Sequence, residues 1–240
     1  CLMRQAYTSA PEQLGPKRLR RTLEALGPTA LKVGQFLSLR PDLIPAAYAD
    51  ELLDLVDEVP TDPYDVIAAV IESDLGPIDA FFSELSTEPC GSGSLAQVHR
   101  GRLLSGEVVA VKVQRPGVRS RVRRDLRAAS FAASIIDACS EFSLVPPQQL
   151  VEEFRGWMEQ ELDLEREAQN TQRMARRLSR SATTVPAVYP AASKGRVLTL
   201  EFLDGVGFSE LLRWARREQW DRFETHGIDR HRLARRLLRS

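Results

Sequence analysis

The stretch from Pro89 to Lys112 constrains the fold of this chain more than any other part of the sequence. A glycine-rich turn around Gly91 and Gly93 is followed by an apolar segment, a second turn at Ser105-Gly106 and another apolar segment. Short apolar segments on both sides of a glycine turn are typical of a β-hairpin. The sequence therefore predicts a glycine-rich turn that leads into a hairpin whose second strand ends on the lysine.

The spacing of these residues is that of a nucleotide site. Gly91, Gly93 and Ala96, with Val98 two residues further on, match the loop that covers the phosphates in protein kinases, and the segment 109–112 matches the strand whose lysine pairs with them. A glycine pattern alone more often marks a turn than a ligand site. The two halves in this order predict a phosphate site. The candidate ligands in this stretch are Gly91, Ser92, Gly93, Ser94, Val98, Ala110 and Lys112.

Composition limits the classes of protein to be considered. The 240 residues suffice for one large or two small domains, and an apolar fraction of 43% is enough for a core. The 33 basic and 33 acidic residues balance, which argues against a nucleic-acid or membrane partner. Three widely separated cysteines, Cys1, Cys90 and Cys139, favour a reducing compartment over a disulfide framework or a zinc site. No apolar run approaches the roughly 18 residues of a membrane-spanning helix.

Lysine is rare in this chain. Only four of the 33 basic residues are lysines, namely Lys17, Lys32, Lys112 and Lys194. A compact ammonium suits phosphate chemistry at Lys112. Lys32 is the second lysine that needs an explanation.

Residues 17–59 have helical periodicity, with a break at Gly27-Pro28. Lys32 and Gln35 lie three residues apart on one helix face, and an amphipathic helix with an exposed lysine is the simpler interpretation. Gly34 in mid-helix indicates close packing by a neighbour, because glycine costs about 1 kcal/mol relative to alanine there. Two further helices are predicted, Ala46 to Glu58 and Tyr64 to Leu75.

After Lys112 the sequence returns to helices. Residues 113–127 contain six arginines and one aspartate. This pattern favours a solvated helix face over a phosphate or membrane-surface patch. One long helix, rich in acids, is predicted from Gln148 to Leu178, and a kinase-like site requires that one of those acids face Lys112. Asp163 and Glu167 share a face of such a helix, but periodicity does not choose among the acids.

The last quarter of the chain begins with two predicted strands, 184–189 and 196–202. Glu201 and Leu203 stand where a kinase-like connector presents backbone groups to adenine. Residues 209–240 are predicted to be helical and rich in arginine. Their basic face could touch anionic lipid, but packing on a larger lobe is the favoured interpretation. The arginines of this face are Arg232, Arg235, Arg236 and Arg239.

Four motifs together resemble the UbiB/AarF family of atypical kinase-like proteins, which is associated with ubiquinone biosynthesis and isoprenoid-lipid metabolism. The resemblance runs in order from about Leu26 to Gly207. Lys32-Val33-Gly34-Gln35 resembles the family's KxGQ motif, residues 94–99 resemble the end of its alanine-rich loop, residues 111–117 resemble the strand and turn of its nucleotide lysine, and Glu161-Leu162-Asp163 resembles its ExD motif.

The resemblance implies an α+β fold, a protein-kinase-like N-lobe with a small antiparallel sheet and helices, preceded by a helical KxGQ extension. It implies an extension over residues 1–60, an N-lobe over 61–205 and the start of a C-lobe over 206–240. In the family the KxGQ helix folds over the substrate cleft, so Lys32 is expected to meet Glu161 or Asp163, with Gln35 beside it. Glu167 is expected to pair with Lys112.

The resemblance also implies ATP and Mg²⁺ as cofactors, and hydrolysis or phosphoryl transfer coupled to a prenylated lipid precursor. Expected partners are the nucleotide, an isoprenoid lipid or membrane surface, and lipid-biosynthesis proteins. The expected location is cytoplasmic and peripheral to the inner membrane of a bacterial source.

Two departures from the family pattern affect these expectations. Gly91 and Gly93 stand where many relatives have alanine, which restores backbone flexibility and puts nucleotide preference in doubt. No HxD-type loop and no Asp-Phe-Gly occurs in the 240 residues, so the chain is expected to end before the catalytic and metal-binding residues. We therefore expect a fragment that binds nucleotide weakly and is inactive, with no catalytic or metal ligand of its own. The alternative is a helical interaction or regulatory module built on a pseudokinase scaffold.

Overall fold

The structure is a computed structural model that describes residues 15–40, 42–53, 55, 60–139, 146–179 and 183–237. It divides into one unit that ends at Phe202 and a second that begins at Leu203, and each is described by itself. Some predictions fall outside the described residues. They concern Cys1, the side chains of Cys139 and Arg236, Arg239, and residues 54 and 56–58 of the helix predicted from Ala46 to Glu58.

The centre of the first unit is a sheet of four antiparallel strands in the order β1-β2-β3-β4. The strands are β1 (Phe82–Ser92), β2 (Ala96–Leu103), β3 (Val108–Gln114) and β4 (Val197–Glu201). The predicted hairpin is confirmed: the turn between β2 and β3 contains Gly106 at a φ of 102°, a conformation that favours glycine. The α+β class predicted from the sequence is also confirmed.

The strand predicted at residues 184–189 is wrong. Only an isolated bridge between Val188 and Leu200 forms there. Pro186 and Pro190 have no N–H to donate to a neighbouring strand, so this segment cannot build a regular ladder. A short 3₁₀-helix, Pro190–Ala192, follows instead.

The two faces of strand β3 have different surroundings because successive side chains alternate. Val109, Val111 and Val113 are completely buried in a cluster with residues of helix α4 (Tyr64–Leu75), whose bounds are those predicted. Ala110 and Lys112 lie on the other face, which is therefore the face available for a site.

In the described part of the chain before α4 there are three short helices: α1 (Pro16–Leu26), α2 (Pro28–Ser38) and α3 (Ala46–Leu52). The break at Gly27-Pro28 is confirmed, with Gly27 at a φ of 95° and the proline in the first turn of α2. The three helices enclose a separate apolar cluster of Leu23, Leu31, Leu52 and Leu55. The KxGQ residues therefore lie on a packed helix.

The long helix predicted from Gln148 to Leu178 is wrong. The chain forms α5 (Val118–Cys139), and then α6 (Pro147–Glu161) and α7 (Leu164–Leu178) in its place. Asp163 lies in the break with non-helical backbone angles and accepts a hydrogen bond from the backbone N–H of Arg166 at 2.9 Å. Such N-capping competes with helix continuation, and Asp163 and Glu167 therefore do not share one helix face.

The second unit contains α8 (Phe208–Arg216), α9 (Trp220–Thr225) and α10 (Arg230–Leu237). Trp214 is buried and meets Phe223 in an edge-to-face contact with 5.6 Å between ring centroids. Trp214 is thus a packing anchor of the second unit. Arg232 and Arg235 on α10 are exposed.

Gly34 tests whether close packing explains a glycine in mid-helix. A Cβ there would lie 2.9 Å from Leu23 Cδ1 and closer still to Leu55 Cδ1, both in the buried cluster of the three helices. We expect Gly34→Ala to lower the free energy of unfolding by about 1 kcal/mol or more, because overpacking outweighs the gain in helix propensity. Urea denaturation measures the change.

Gly156 in α6 is the matched control for Gly34. A Cβ there would have no heavy atom within 4 Å. Gly156→Ala is therefore expected to raise the free energy of unfolding by up to about 1 kcal/mol through helix propensity alone. Equal effects of the two substitutions would contradict the packing explanation.

Candidate nucleotide site

Lys112 and Glu167 form the centre of the candidate site. The ammonium nitrogen of Lys112 donates to both carboxylate oxygens of Glu167, at 2.8 and 2.7 Å. The side chains are 31% and 36% exposed, so a ligand can reach the pair from solvent. Among the acids that the sequence left open, the structure selects Glu167 as the partner of the strand lysine.

The start of α7 is held in place from the end of β3. The side-chain amide of Gln114 donates to the carbonyl oxygen of Leu162, in the break between α6 and α7. Arg119 donates to the same oxygen at 2.6 Å and to Gln114 Oε1 at 3.1 Å. The strand that carries Lys112 therefore also fixes the helix that carries Glu167.

The glycine loop is short and its tip is buried. Ser92 pairs with Gln97 across the β1-β2 hairpin, and the backbone N–H of Gly93 donates to the carbonyl of Ala96 at 2.9 Å. Only residues 93–95 form the turn. Ser94 is completely buried, so a ligand reaches it only if the loop moves.

The loop tip packs against helices that precede and follow the sheet. Leu95 belongs to an apolar cluster with buried residues of α5 and α6. Val33 and Phe36 of α2 and Trp157 of α6 pack against the same cluster. The helix that carries the KxGQ motif thus covers the loop side of the site. The α5 and α6 members are Val118, Val122, Leu126, Phe154 and Met158, and Leu162 joins them from the break after α6.

Lys32 points into this contact region and not into solvent. Its ammonium lies 3.7 Å from Glu161 Oε2 and 5.9 Å from the centroid of the Trp157 ring, and its side chain is 12% exposed. The amphipathic helix with an exposed lysine is therefore wrong for this residue. Asp163, the other acid expected to meet Lys32, is the N-cap of α7. Gln35 is half-buried on α2.

The end of α2 is also tied to α6. Arg40 donates to Asp42 at 2.8 to 3.1 Å and to Glu153 on α6 at 2.5 Å. Hydrogen bonds to the two carboxylates raise the pKa of Arg40, so its charge is permanent. An exposed ion pair of this kind stabilises little by itself but fixes the direction in which α2 leaves the site.

Several predicted nucleotide ligands share the sheet face of Lys112. Val98 lies directly opposite Lys112, and Gly91 lies opposite Val98. Ala110 is on the same face, two residues before Lys112. A Cβ at Gly91 would meet only Val98, at an ordinary 3.7 Å, so the structure has room for the alanine of related loops.

The two connector residues are placed differently. Glu201 lies opposite Val109, on the sheet face away from Lys112, and its N–H and carboxylate both bind the backbone of Ala187. Leu203 is the first residue of the second unit and is 45% exposed. Their contact with adenine stays a prediction.

A buried polar cluster around His99 and Gln97 of β2 lies next to the glycine loop. His99 Nδ1 lies 2.9 Å from the carbonyl oxygen of Ser86, which can only accept, so this nitrogen carries the proton. His99 Nε2 then accepts from Gln97 Nε2 at 3.4 Å. Gln97 Oε1 accepts from the backbone N–H of Asp62. Burial lowers the pKa of His99, and the neutral ring satisfies every one of these contacts.

His99 is expected to make stability fall as the pH falls. Its pKa in the folded state lies below the ordinary value of about 6.5. The unfolded chain therefore binds more protons as the pH drops below that value, which favours unfolding. We expect the free energy of unfolding to decrease between about pH 7.5 and pH 5.5, and this decrease to be smaller in His99→Gln. Urea titrations at both pH values provide the measurement, and an unchanged pH slope in the variant would contradict the assignment.

Some residues of the site have no signal in the sequence. Trp157, Asp62 and Arg119 take part in contacts between elements far apart in the chain, and no local period or motif marks them. Arg115 lies inside the recognised segment 111–117, which could have identified it. Among the described residues, no group of three or more metal-ligating side chains forms a metal site. Nor does any described helix have the length and apolar character to cross a membrane.

A lysine-bearing strand, a paired helix glutamate and a glycine hairpin on a small antiparallel sheet define a kinase-like fold. Residues 54–240 match the ABC1 atypical kinase-like domain, and the chain belongs to this family. The predicted family resemblance is thereby confirmed.

Relatives and a solved structure agree with this assignment. The chain is 38% identical over 197 residues to Protein ACTIVITY OF BC1 COMPLEX KINASE 3, chloroplastic, of Arabidopsis thaliana, covering 81% of this chain and 28% of the relative. It is 36% identical to Probable protein kinase UbiB of Marinobacter nauticus, covering 81% and 36%. The structure of the Rv3197-erythromycin complex from Mycobacterium tuberculosis matches with a TM-score of 0.56 and 30% identity, over 82% of this chain and 50% of that one. The chain thus spans about a third of the length of the Arabidopsis thaliana and Marinobacter nauticus relatives.

Proposed function

We propose that this chain is the ATP-binding part of an atypical kinase or ATPase of the ABC1 family. The observation that carries the proposal is the bidentate pair between Lys112 and Glu167, on the open face of the sheet and next to the glycine hairpin. A lysine held in this way offers its ammonium to nucleotide phosphates in a fixed position. The pair is about one third exposed and fits a triphosphate, since neither charge is buried in the core.

Four side chains of the site have different roles in binding the nucleotide. Lys112 neutralises phosphate charge, Glu167 orients Lys112, and Val98 and Ala110 provide the apolar surface beside it. Mg²⁺, when bound with ATP, neutralises the remaining phosphate charge. Because phosphoryl transfer depends mostly on positioning and charge neutralisation, this chain supplies binding and orientation. We propose that it hydrolyses no ATP alone.

The test is nucleotide binding by the 240-residue chain. We expect ATP with Mg²⁺ to raise its melting temperature in a concentration-dependent manner, because a ligand that binds only the folded state stabilises it. ADP with Mg²⁺ is run in parallel to measure preference. No shift at any nucleotide concentration would favour the alternative, a regulatory module in which the buried loop tip is only scaffold. ATPase turnover above background, abolished by Lys112→Ala, would contradict the inactivity.

We further propose that Lys32 regulates access to the site. Its contacts with Glu161 and Trp157 hold α2 against the loop tip. Lys32→Ala is expected to change the Kd for ATP several-fold, because the free-energy contribution of one partly shielded ion pair is of that order. Lys17→Ala, at an exposed position on α1, is the matched control and is expected to bind ATP as the original chain does. Identical ATP affinity in both variants would remove any regulatory role from Lys32.

The biological context is a separate proposal. The family resemblance supports a link to ubiquinone or other isoprenoid-lipid metabolism, with a membrane surface, a prenylated lipid or lipid-biosynthesis proteins as partners and a peripheral location at a membrane. One relative carries the name Probable protein kinase UbiB. Co-sedimentation of the chain with anionic lipid vesicles tests the membrane part, and equal recovery without vesicles would contradict it.

A further inference from the structure

Arg115 makes an unusual set of contacts just after the strand that carries Lys112. Its guanidinium donates to the carbonyl oxygen of Gly93 at 2.8 Å, to the hydroxyl of Ser92 at 2.7 Å and to the carboxylate of Asp62 at 2.7 Å. Its backbone N–H donates to the carbonyl of Leu95 at 2.9 Å. One residue thus holds three positions of the glycine loop.

Burial and charge define what Arg115 can do. Its side chain is 8% exposed, and a buried guanidinium needs a counter-charge, which Asp62 supplies. The charge is therefore already neutralised and is not offered to a ligand. The planar fork of arginine, with donors in fixed directions, suits a geometric role that a lysine ammonium cannot reproduce.

The contacts control where the loop's negative dipole ends point. The carbonyl oxygens of Gly93 and Leu95 are both turned towards Arg115. A loop that binds phosphate must keep its carbonyl oxygens away from the anion, because their partial negative charge repels it. Arg115 therefore removes two repulsive groups from the side on which phosphate would bind.

We call Arg115, its contacts with the glycine loop and its ion pair with Asp62 the clamp. Asp62, at the other end of the clamp, is also held in place. Asp62 directly precedes Pro63, the residue before helix α4. Its backbone N–H donates to Gln97 Oε1, and its carbonyl accepts from Gln97 Nε2 at 3.4 Å. Since Gln97 lies on β2 opposite Ser92, Asp62 is bound to the same hairpin that it helps to hold. The clamp is thus closed on both sides.

We propose that Arg115, held by Asp62, is a positioning residue that sets the conformation of the glycine loop and thereby the affinity of the chain for a nucleoside triphosphate. This inference rests on the proposed ATP-binding function. Arg115 touches no ligand in this role and acts through the loop.

The experiment measures the Kd for ATP with Mg²⁺ and the unfolding midpoint in urea for the 240-residue chain and its variants. Arg115→Lys keeps the charge and loses the fork, and we expect its Kd to rise on the order of tenfold, as expected for misplacement of a binding group. Amide hydrogen exchange over residues 92–95 is expected to become faster. Asp62→Asn, a milder change that keeps an acceptor for Arg115, is expected to raise the Kd less.

Arg196 offers a matched control elsewhere in the unit. It donates to the carboxylate of Asp74 at 3.0 and 2.5 Å and so joins the turn before β4 to helix α4, without contact to the glycine loop. This contact lowers the pKa of Asp74. Arg196→Lys is expected to lower the unfolding midpoint while leaving the Kd for ATP unchanged.

The outcomes separate the two proposals. A raised Kd in Arg115→Lys or Asp62→Asn, with Arg196→Lys unchanged, supports the clamp, and Asp62→Asn decides alone if Arg115→Lys does not fold. If folded Arg115→Lys binds ATP with the same Kd as the unsubstituted chain, the inference is overturned while the ATP-binding function stands. If Arg115→Lys does not fold, an unchanged Kd in Asp62→Asn has the same consequence. A chain that binds no ATP before any substitution overturns the proposed function and this inference together.

Discussion

Replacing Lys112 with methionine is expected to raise the Kd for ATP with Mg²⁺ by roughly 10- to 100-fold. A charge-assisted hydrogen bond contributes about 1.5–3 kcal/mol, and methionine fills the volume of the stem without the ammonium. Because the pair with Glu167 is about one third exposed, its loss costs little stability. Competition against a fluorescent ATP analogue gives the Kd, and circular dichroism confirms the fold.

Lys194 provides the control for that substitution. It is an exposed lysine in the turn before β4 and lies away from the Lys112 face. Lys194→Met is expected to bind ATP as the original chain does. Glu167→Gln, which keeps the shape of the partner and removes its charge, is expected to weaken ATP binding in the same direction as Lys112→Met. If Lys112→Met and Lys194→Met bind ATP equally well, the phosphate site is not at Lys112.

Leu95→Ala is expected to cause the largest loss of stability, about 2–5 kcal/mol in the free energy of unfolding. Leu95 is 6% exposed and lies in the cluster that joins the loop tip to α5, α6 and the KxGQ helix. Removing its side chain leaves a cavity where these elements meet. Urea denaturation measures the loss, and faster hydrogen exchange is expected in both the loop and α2.

Leu104→Ala, in the turn between β2 and β3, is the control for Leu95. This leucine is 62% exposed, so the same truncation is expected to change the free energy of unfolding by less than about 0.5 kcal/mol. If Leu95→Ala is equally mild, the loop tip is not anchored in the cluster, and the covering role of α2 would need another explanation.

The amino-acid pattern determined the local elements of this protein. The hairpin from β2 to β3, the glycine turns and helix α4 follow from short-range rules of alternation, helical period and glycine backbone freedom. The lysine-bearing strand was recognisable for the same reason, because its motif is continuous in the sequence. The resemblance to the family rested on four such continuous motifs.

Two predicted elements are wrong because a single residue or a missing N–H outweighs the periodic pattern around it. The helix predicted from Gln148 to Leu178 has continuous periodicity, but Asp163 caps a new helix inside it. The strand predicted at 184–189 has apolar residues, but its prolines cannot donate to a ladder. Capping and missing donors involve single atoms, and a pattern averaged over a window does not resolve them.

Periodicity did not decide which charges meet, whereas the family resemblance implied the pair of Lys112 with Glu167 and the contact of Lys32 with Glu161 or Asp163. Periodicity left several acids as partners for Lys112, and only the break at Leu162, fixed by Gln114 and Arg119, turns Glu167 towards it. Lys32 had the spacing of an exposed residue, yet packing of α2 on α6 places it beside Glu161 and Trp157. The sequence by itself determined which segments carry the family motifs. Long-range packing determined their partners, because residues far apart in the chain leave no periodic trace of the contact that they make.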